Sequence, residues 1–166
     1  MATTPFAVLD NTSDQRLAGG PVLNGRDAPA RTLHTDQTGD QAMGTSLYER
    51  LGSAKGIATL VDDIVEAHMR NPAIKSRFLP YTSQPERLAA VKQHLREFLG
   101  AGSGGPERYA GRDMRAAHQG MNVNEQEYMA AVDDIIATLE KHQVDEATRK
   151  DVLAIAWSLK GEIIRV

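Results

Sequence analysis

The 166-residue chain has 25% charged and 41% hydrophobic residues and a formal net charge of −3, an ordinary globular balance with no general attraction for nucleic acid or anionic membranes. No run approaches the roughly eighteen apolar residues of a membrane span, and no charged-then-apolar leader opens the chain, so a cytoplasmic protein with no membrane and no nucleic-acid partner is expected. Cysteine is absent, which excludes disulfides, thiolate nucleophiles and cysteine-held clusters and leaves histidine, carboxylate, methionine or tyrosine to hold any metal.

Residues 1–45 hold Pro5, Gly19, Gly20, Pro21, Gly25, Pro29, Gly39 and Gly44 among polar residues, with no sustained apolar period. Such a segment buries too little surface to offset its ordering entropy and is expected to be a disordered extension, or a peptide that folds on a partner. From Ser46 the pattern is helical, and residues 46–166 are expected to form one all-α domain of about five substantial helices. Ser46 and Glu49 form a capping box for a short helix with Leu47, Tyr48 and Leu51, ended by Gly52. A second helix carries Ile57, Leu60, Val61, Ile64, Val65, His68 and Met69 at spacings of three and four, and Asn71-Pro72 stops it. A short turn of helix through Ile74 and Phe78 reaches Pro80.

Ser83 and Glu86 have the spacing of another capping box, with Pro85 in the first turn, for a helix placing Leu88, Val91, His94, Leu95 and Phe98 on one face. The run Gly100-Ala101-Gly102-Ser103-Gly104-Gly105-Pro106 is expected to be irregular. A shorter helical segment around Met114 and His118 follows. Asn124 and Glu127 then cap a helix through Tyr128, Met129, Val132, Ile135, Ile136 and Leu139, and Asp145 opens the last, with Val152, Leu153, Ala156, Leu159 and Ile163 as its stripe.

The glycine run follows a helix, whereas phosphate loops lie between a strand and a helix, so it reads as a turn rather than a nucleotide cradle. Asp62-Asp63 and Asp133-Asp134 are adjacent pairs whose side chains diverge by about 100° on a helix, and they read as solvated surface. His34 lies in the extension, and His142 sits near a helix end, where a cation complements the dipole. His68, His94 and His118 are the informative set. None has the close spacing of a zinc site. Each stands on a different helix, where it is either a hydrogen-bonded core histidine or a ligand facing a common cavity, an arrangement suited to a flat apolar ligand with axial imidazoles.

The segment Gly104-Gly105-Pro106-Glu107-Arg108-Tyr109-Ala110-Gly111-Arg112-Asp113-Met114-Arg115-Ala116-Ala117-His118-Gln119-Gly120-Met121, with the opening Leu47-Tyr48-Glu49-Arg50-Leu51-Gly52, resembles the first group of truncated haemoglobins over residues 46–166. The resemblance implies a two-over-two helical sandwich around haem b, with His118 as the iron ligand and Phe78 packed on the haem face. It places Met114 and Tyr128 in the pocket wall and makes Arg112 and Arg115 candidates for the haem propionates. Where many members carry a ligand-binding tyrosine, this chain has Val65, and the remaining distal positions are Val91, His94 and Leu95. In some relatives the histidine at the position of His94 ligates the iron, so the resemblance implies an iron held by His118 and His94 until an exogenous ligand displaces His94. Relatives that attach haem covalently use a histidine in the last helix, where this chain has Gly161. The functions implied are binding of O2, NO or CO, nitric oxide dioxygenation with an external reductase, or gas or redox sensing without catalysis. A haem-free helical interaction domain is the alternative that residue patterning alone leaves open.

Overall fold

The capping box is present at Ser46: its hydroxyl accepts from the Glu49 N–H, and the Glu49 carboxylate accepts from the Ser46 N–H, opening α1 (Leu47–Arg50). This computed structural model describes residues 44–166; the expectation of disorder for the extension falls, for residues 1–43, outside the described residues. Helix α2 (Ser53–Arg70) buries Ile57, Leu60, Val61, Ile64, Val65 and His68, the stripe expected from spacing, and ends before Asn71-Pro72. Helix α3 (Lys75–Phe78) runs into a 3₁₀ turn over Leu79–Ser83. Helix α4 (Pro85–Gly102) is followed by the short α5 (Met114–His118), then α6 (Glu125–Lys141) and α7 (Glu146–Ile163). Asn124 and Asp145 cap the last two as their side chains suggest.

Two expectations are corrected. Ser83 does not cap α4: the 3₁₀ turn continues to it, its hydroxyl donates to the Pro80 carbonyl, and Gln84 precedes Pro85 without a side-chain cap. Nor is the whole glycine run irregular, because α4 continues through Gly102. Tertiary contact overrides low helix propensity there. Gly100 is buried so closely against Glu107 that a Cβ would lie 2.6 Å from the carboxylate, and Gly105 meets the Tyr48 ring in the same way. The Tyr48 hydroxyl donates to Glu107 (2.9 Å), so the glycines seat this segment on α1.

Helix α2 packs against α4 and α6, and α6 against α7, which makes the two-over-two arrangement. The main core joins Leu51, Ile57, Leu60, Val61, Ile64, Val65, Leu139 and Val152; a second cluster joins Met121, Val123, Tyr128 and Val132. No strand occurs among the described residues. An isolated parallel bridge links Val123 to Ile164, with Arg165 N–H donating to the Val123 carbonyl (3.0 Å) and Gly120 N–H to that of Val166 (2.9 Å). Among the described residues no helix is long and apolar enough to cross a membrane.

Candidate functional site

A cavity of about 290 Å³ lies between the helix pairs, walled by Val61 and Ile64 of α2, Phe78 of α3, Val91, Leu95 and Phe98 of α4, Met114 and Ala117 of α5, Tyr128 and Val132 of α6, and Ile155 and Leu159 of α7. Three imidazoles interrupt this apolar wall: His68, His94 and His118. They come from α2, α4 and α5, so three residues far apart in the sequence reach one space. No group of three histidine or carboxylate side chains among the described residues is arranged for a bare metal ion. A more open cleft lies at Gly52, Gly56 and Gln143, where Arg50 binds Thr148 and Asp151, His142 binds Asp63, and Asp145 caps α7.

His118 closes α5, which Asp113 opens by accepting from the Ala116 N–H (2.7 Å). Its Nδ1 lies 2.8 Å from the Met114 carbonyl. A carbonyl only accepts, so Nδ1 carries the proton and Nε2 keeps its lone pair. Burial pushes the imidazole below its ordinary value, which favours the neutral ring. A neutral, oriented imidazole whose other nitrogen is held by a carbonyl is the form in which histidine binds a metal.

His94 is half-buried and sits edge-on to Tyr109, whose ring also meets Phe98 edge-on. Its Nδ1 is occluded without a hydrogen bond, since Glu97 stands 3.7 Å away. His68 is buried, its ring 5.5 Å from that of Phe78, and its Nδ1 meets Asp134 at 2.9 Å. Asp134 also accepts from Asn71 (2.9 Å).

Phe78, Val91, His94, Leu95, Met114, His118 and Tyr128 thus share one wall. Val65 does not join it: it is fully buried in the main core, with Val61 and Ile64 of the same helix facing the cavity. Arg112 and Arg115 are exposed and off the wall; Arg112 borders it only through its carbonyl, which accepts from the Tyr109 hydroxyl (2.7 Å). The Tyr128 hydroxyl donates to the Ala156 carbonyl. Both phenols on the wall are therefore committed to backbone.

Several polar groups carry no mark in the sequence. Arg77 and Glu127 line the cavity as a forked ion pair (2.8 and 2.9 Å), and Arg77 also donates to the Met121 carbonyl (2.7 Å). The aspartate pairs are not merely solvated surface: Asp134 holds His68, Asp62 binds Lys92 and Arg96, and Asp63 binds Lys141 and His142. Asp133 alone of the four is exposed as expected. The partners of the other three lie on different helices, so neither spacing nor helix face marks them.

The residues present suit haem. The walls are apolar, Phe78 offers a ring to a flat ligand, and His118 presents an oriented neutral nitrogen. Residues 46–164 match the bacterial-like globin family. The group 1 truncated hemoglobin GlbN of Synechocystis is 30% identical over 116 residues, covering 68% of this chain and 90% of its own length. That of Tetrahymena pyriformis is 29% identical over 119 residues, covering 65% and 94%. Among solved structures, the Fe(III) form of the Tetrahymena pyriformis truncated hemoglobin superposes with a TM-score of 0.66 at 20% identity, covering 74% of this chain and 100% of that one. The 2/2 hemoglobin of Synechococcus, in the cyanomet state with covalently attached heme, gives 0.61 at 28% identity, covering 70% and 94%. The helical sandwich, the histidine-bearing cavity and this match over most of its length place the chain in the bacterial-like globin family as a group 1 truncated haemoglobin, whose cofactor is haem b.

Proposed function

We propose that the protein is a haem b protein for small diatomic ligands, O2, NO or CO, in which His118 and, without an exogenous ligand, His94 would hold the iron. The observation that carries the proximal assignment is the lock of His118 Nδ1 on the Met114 carbonyl, which leaves Nε2 to the cavity. His94 is supported by its occluded, unpaired Nδ1 on the same wall. An occluded ring nitrogen with no hydrogen bond is costly unless the ring has another task. The nearby Glu97 carboxylate can orient that ring as carboxylates orient metal-binding histidines.

When bound, haem supplies an iron centre that takes up a diatomic gas and exchanges electrons. The chain supplies the rest. Val91, Leu95 and Phe98 keep the space around His94 apolar, and neither wall phenol has a free hydroxyl to donate to a guest. Imidazoles are thus the hydrogen-bonding groups left to meet it beside the paired Arg77 and Glu127. Arg112 and Arg115, exposed beyond the wall, are the cations for the propionates. Turnover as a nitric oxide dioxygenase would draw electrons from a separate reductase.

Optical spectra of the ferric and ferrous unliganded protein test this. Wild type is expected to be low-spin and His94→Ala high-spin, while His118→Ala should lose haem. A high-spin wild type at neutral pH would refute ligation by His94. A colourless protein that takes up no hemin would refute the whole reading. Nitric oxide consumption with and without a reducing system separates an enzyme from a sensor.

A further inference from the structure

His68 is unused by the reading above, yet it is the cavity histidine held by a carboxylate. Its orientation follows from a chain of fixed hydrogen bonds. The Ala73 N–H donates to Asn71 Oδ1 (3.0 Å), so it is the Asn71 amide nitrogen that faces Asp134, donating to Oδ1 at 2.9 Å. Asp134 Oδ2 remains for His68 Nδ1, also at 2.9 Å. Asp134 thus meets two side chains, one at each oxygen. A carboxylate only accepts, so the His68 proton sits on Nδ1 and the lone pair on Nε2. That nitrogen has no partner among the described residues, on a ring that lines the cavity.

We propose that His68 is a proton-accepting anchor for small protic ligands H–X, weak acids such as hydrogen peroxide or hydrogen sulfide, inside the cavity. The inference deepens the ligand-binding reading and rests on it for what enters the cavity. The H–X bond breaks, its proton passes to His68 Nε2, and its electron pair stays on X. The anion X⁻ then lies beside an imidazolium whose Nδ1–H faces the Asp134 carboxylate, so the two new charges are each compensated. The groups facing His68 are Asp134 of α6, whose other oxygen accepts from Asn71, and the uncharged Phe78 of α3. The other charged residues on the wall, Arg77 and Glu127, are paired with each other. Burial holds the free imidazole below its ordinary value, so it is unprotonated and ready to accept at neutral pH.

The test uses the whole haem-loaded chain with His94→Ala as background, so that departure of His94 does not limit the rate. Association of hydrogen cyanide with the ferric protein is compared with association of carbon monoxide, which has no proton to give, with the ferrous protein. Adding His68→Leu or Asp134→Asn is expected to slow cyanide by at least about tenfold and to change carbon monoxide by less than about twofold. Unchanged cyanide association would overturn the proposal, and so would equal slowing of both ligands, which marks a merely steric role. Nitrogen NMR of the His68 ring provides a second readout. A ring protonated on Nδ1 in wild type that loses this preference in Asp134→Asn supports the assignment; protonation on Nε2 in wild type overturns it. Failure of the haem reading is separately visible as a missing Soret band, and the ring measurement on the haem-free chain then decides the His68 assignment alone.

Discussion

Three glycines within four residues should respond in opposite directions to the same added methyl. Gly102 is the last residue of α4, with open space where a Cβ would stand, so Gly102→Ala should stabilise by about 0.5 kcal/mol by restricting the unfolded chain. Gly104 also faces open space but has φ +88°, so Gly104→Ala should cost about 1 kcal/mol of backbone strain. At Gly105 the Cβ would lie 2.5 Å from the Tyr48 ring and would also strike Glu107. Overpacking costs about 1–3 kcal/mol, and displacement of the Tyr48–Glu107 hydrogen bond adds about 1 kcal/mol, so about 3 kcal/mol is expected. With an m-value of about 2 kcal/mol/M, the urea midpoint should fall by about 1.5 M for Gly105→Ala and rise slightly for Gly102→Ala. The midpoints are compared at fixed protein and haem concentrations, because a cofactor that binds the folded chain adds to its stability. A Gly105→Ala midpoint within about 0.2 M of wild type, or a destabilised Gly102→Ala, would refute this account of the segment.

Thr148 is fully buried, donating to Asp145 (2.6 Å) and accepting from Arg50 (3.0 Å). Thr148→Val keeps the volume and removes both hydrogen bonds, so urea unfolding should show a loss of about 2 kcal/mol. The Arg77 guanidinium holds the Glu127 carboxyl below its ordinary range. Its contribution is therefore present above the unfolded glutamate pKa of about 4.3 and is lost as pH falls through the lower folded value. The midpoint gap between wild type and Glu127→Gln should narrow from pH 7 to pH 3; a constant gap would refute the pairing.

The helices are legible in the sequence wherever one chain segment carries its own signal. Ser46 with Glu49, Asn124 with Glu127, and Asp145 mark helix starts through contacts three residues away, and the stripe from Ile57 to His68 marks a buried face. Ser83 misleads because the same hydroxyl chemistry serves a preceding 3₁₀ turn as well as a following helix. For the site, His118 stands out through its resemblance to a known segment, and the prospect that three histidines share a cavity comes from their separation onto different helices. His68 cannot be ranked above a core histidine from spacing, because its partner lies 66 residues away on α6. Asp134 is hidden for the same reason: its neighbour Asp133 is exposed, and one turn angle separates a solvated carboxylate from a cavity partner. Val65 shows the converse, since a position carried over from relatives falls here into the core rather than onto the wall.

The bridge between the segment after α5 and the residues after α7 has a consequence for the order of assembly. A helix of five residues has no stability alone, and α5 is steadied by α7 and by the Gly120–Val166 and Val123–Arg165 hydrogen bonds. The placement of His118 therefore depends on segments that follow it in the chain. A nascent chain emerging through α6 would already hold α2 against α4, with His68 and His94 on opposite members of that pair, but without the strut that aims His118. Under the proposed ligation by His118, cofactor capture would wait on completion of α7, and a chain stalled before it would expose an apolar trough rather than a working pocket.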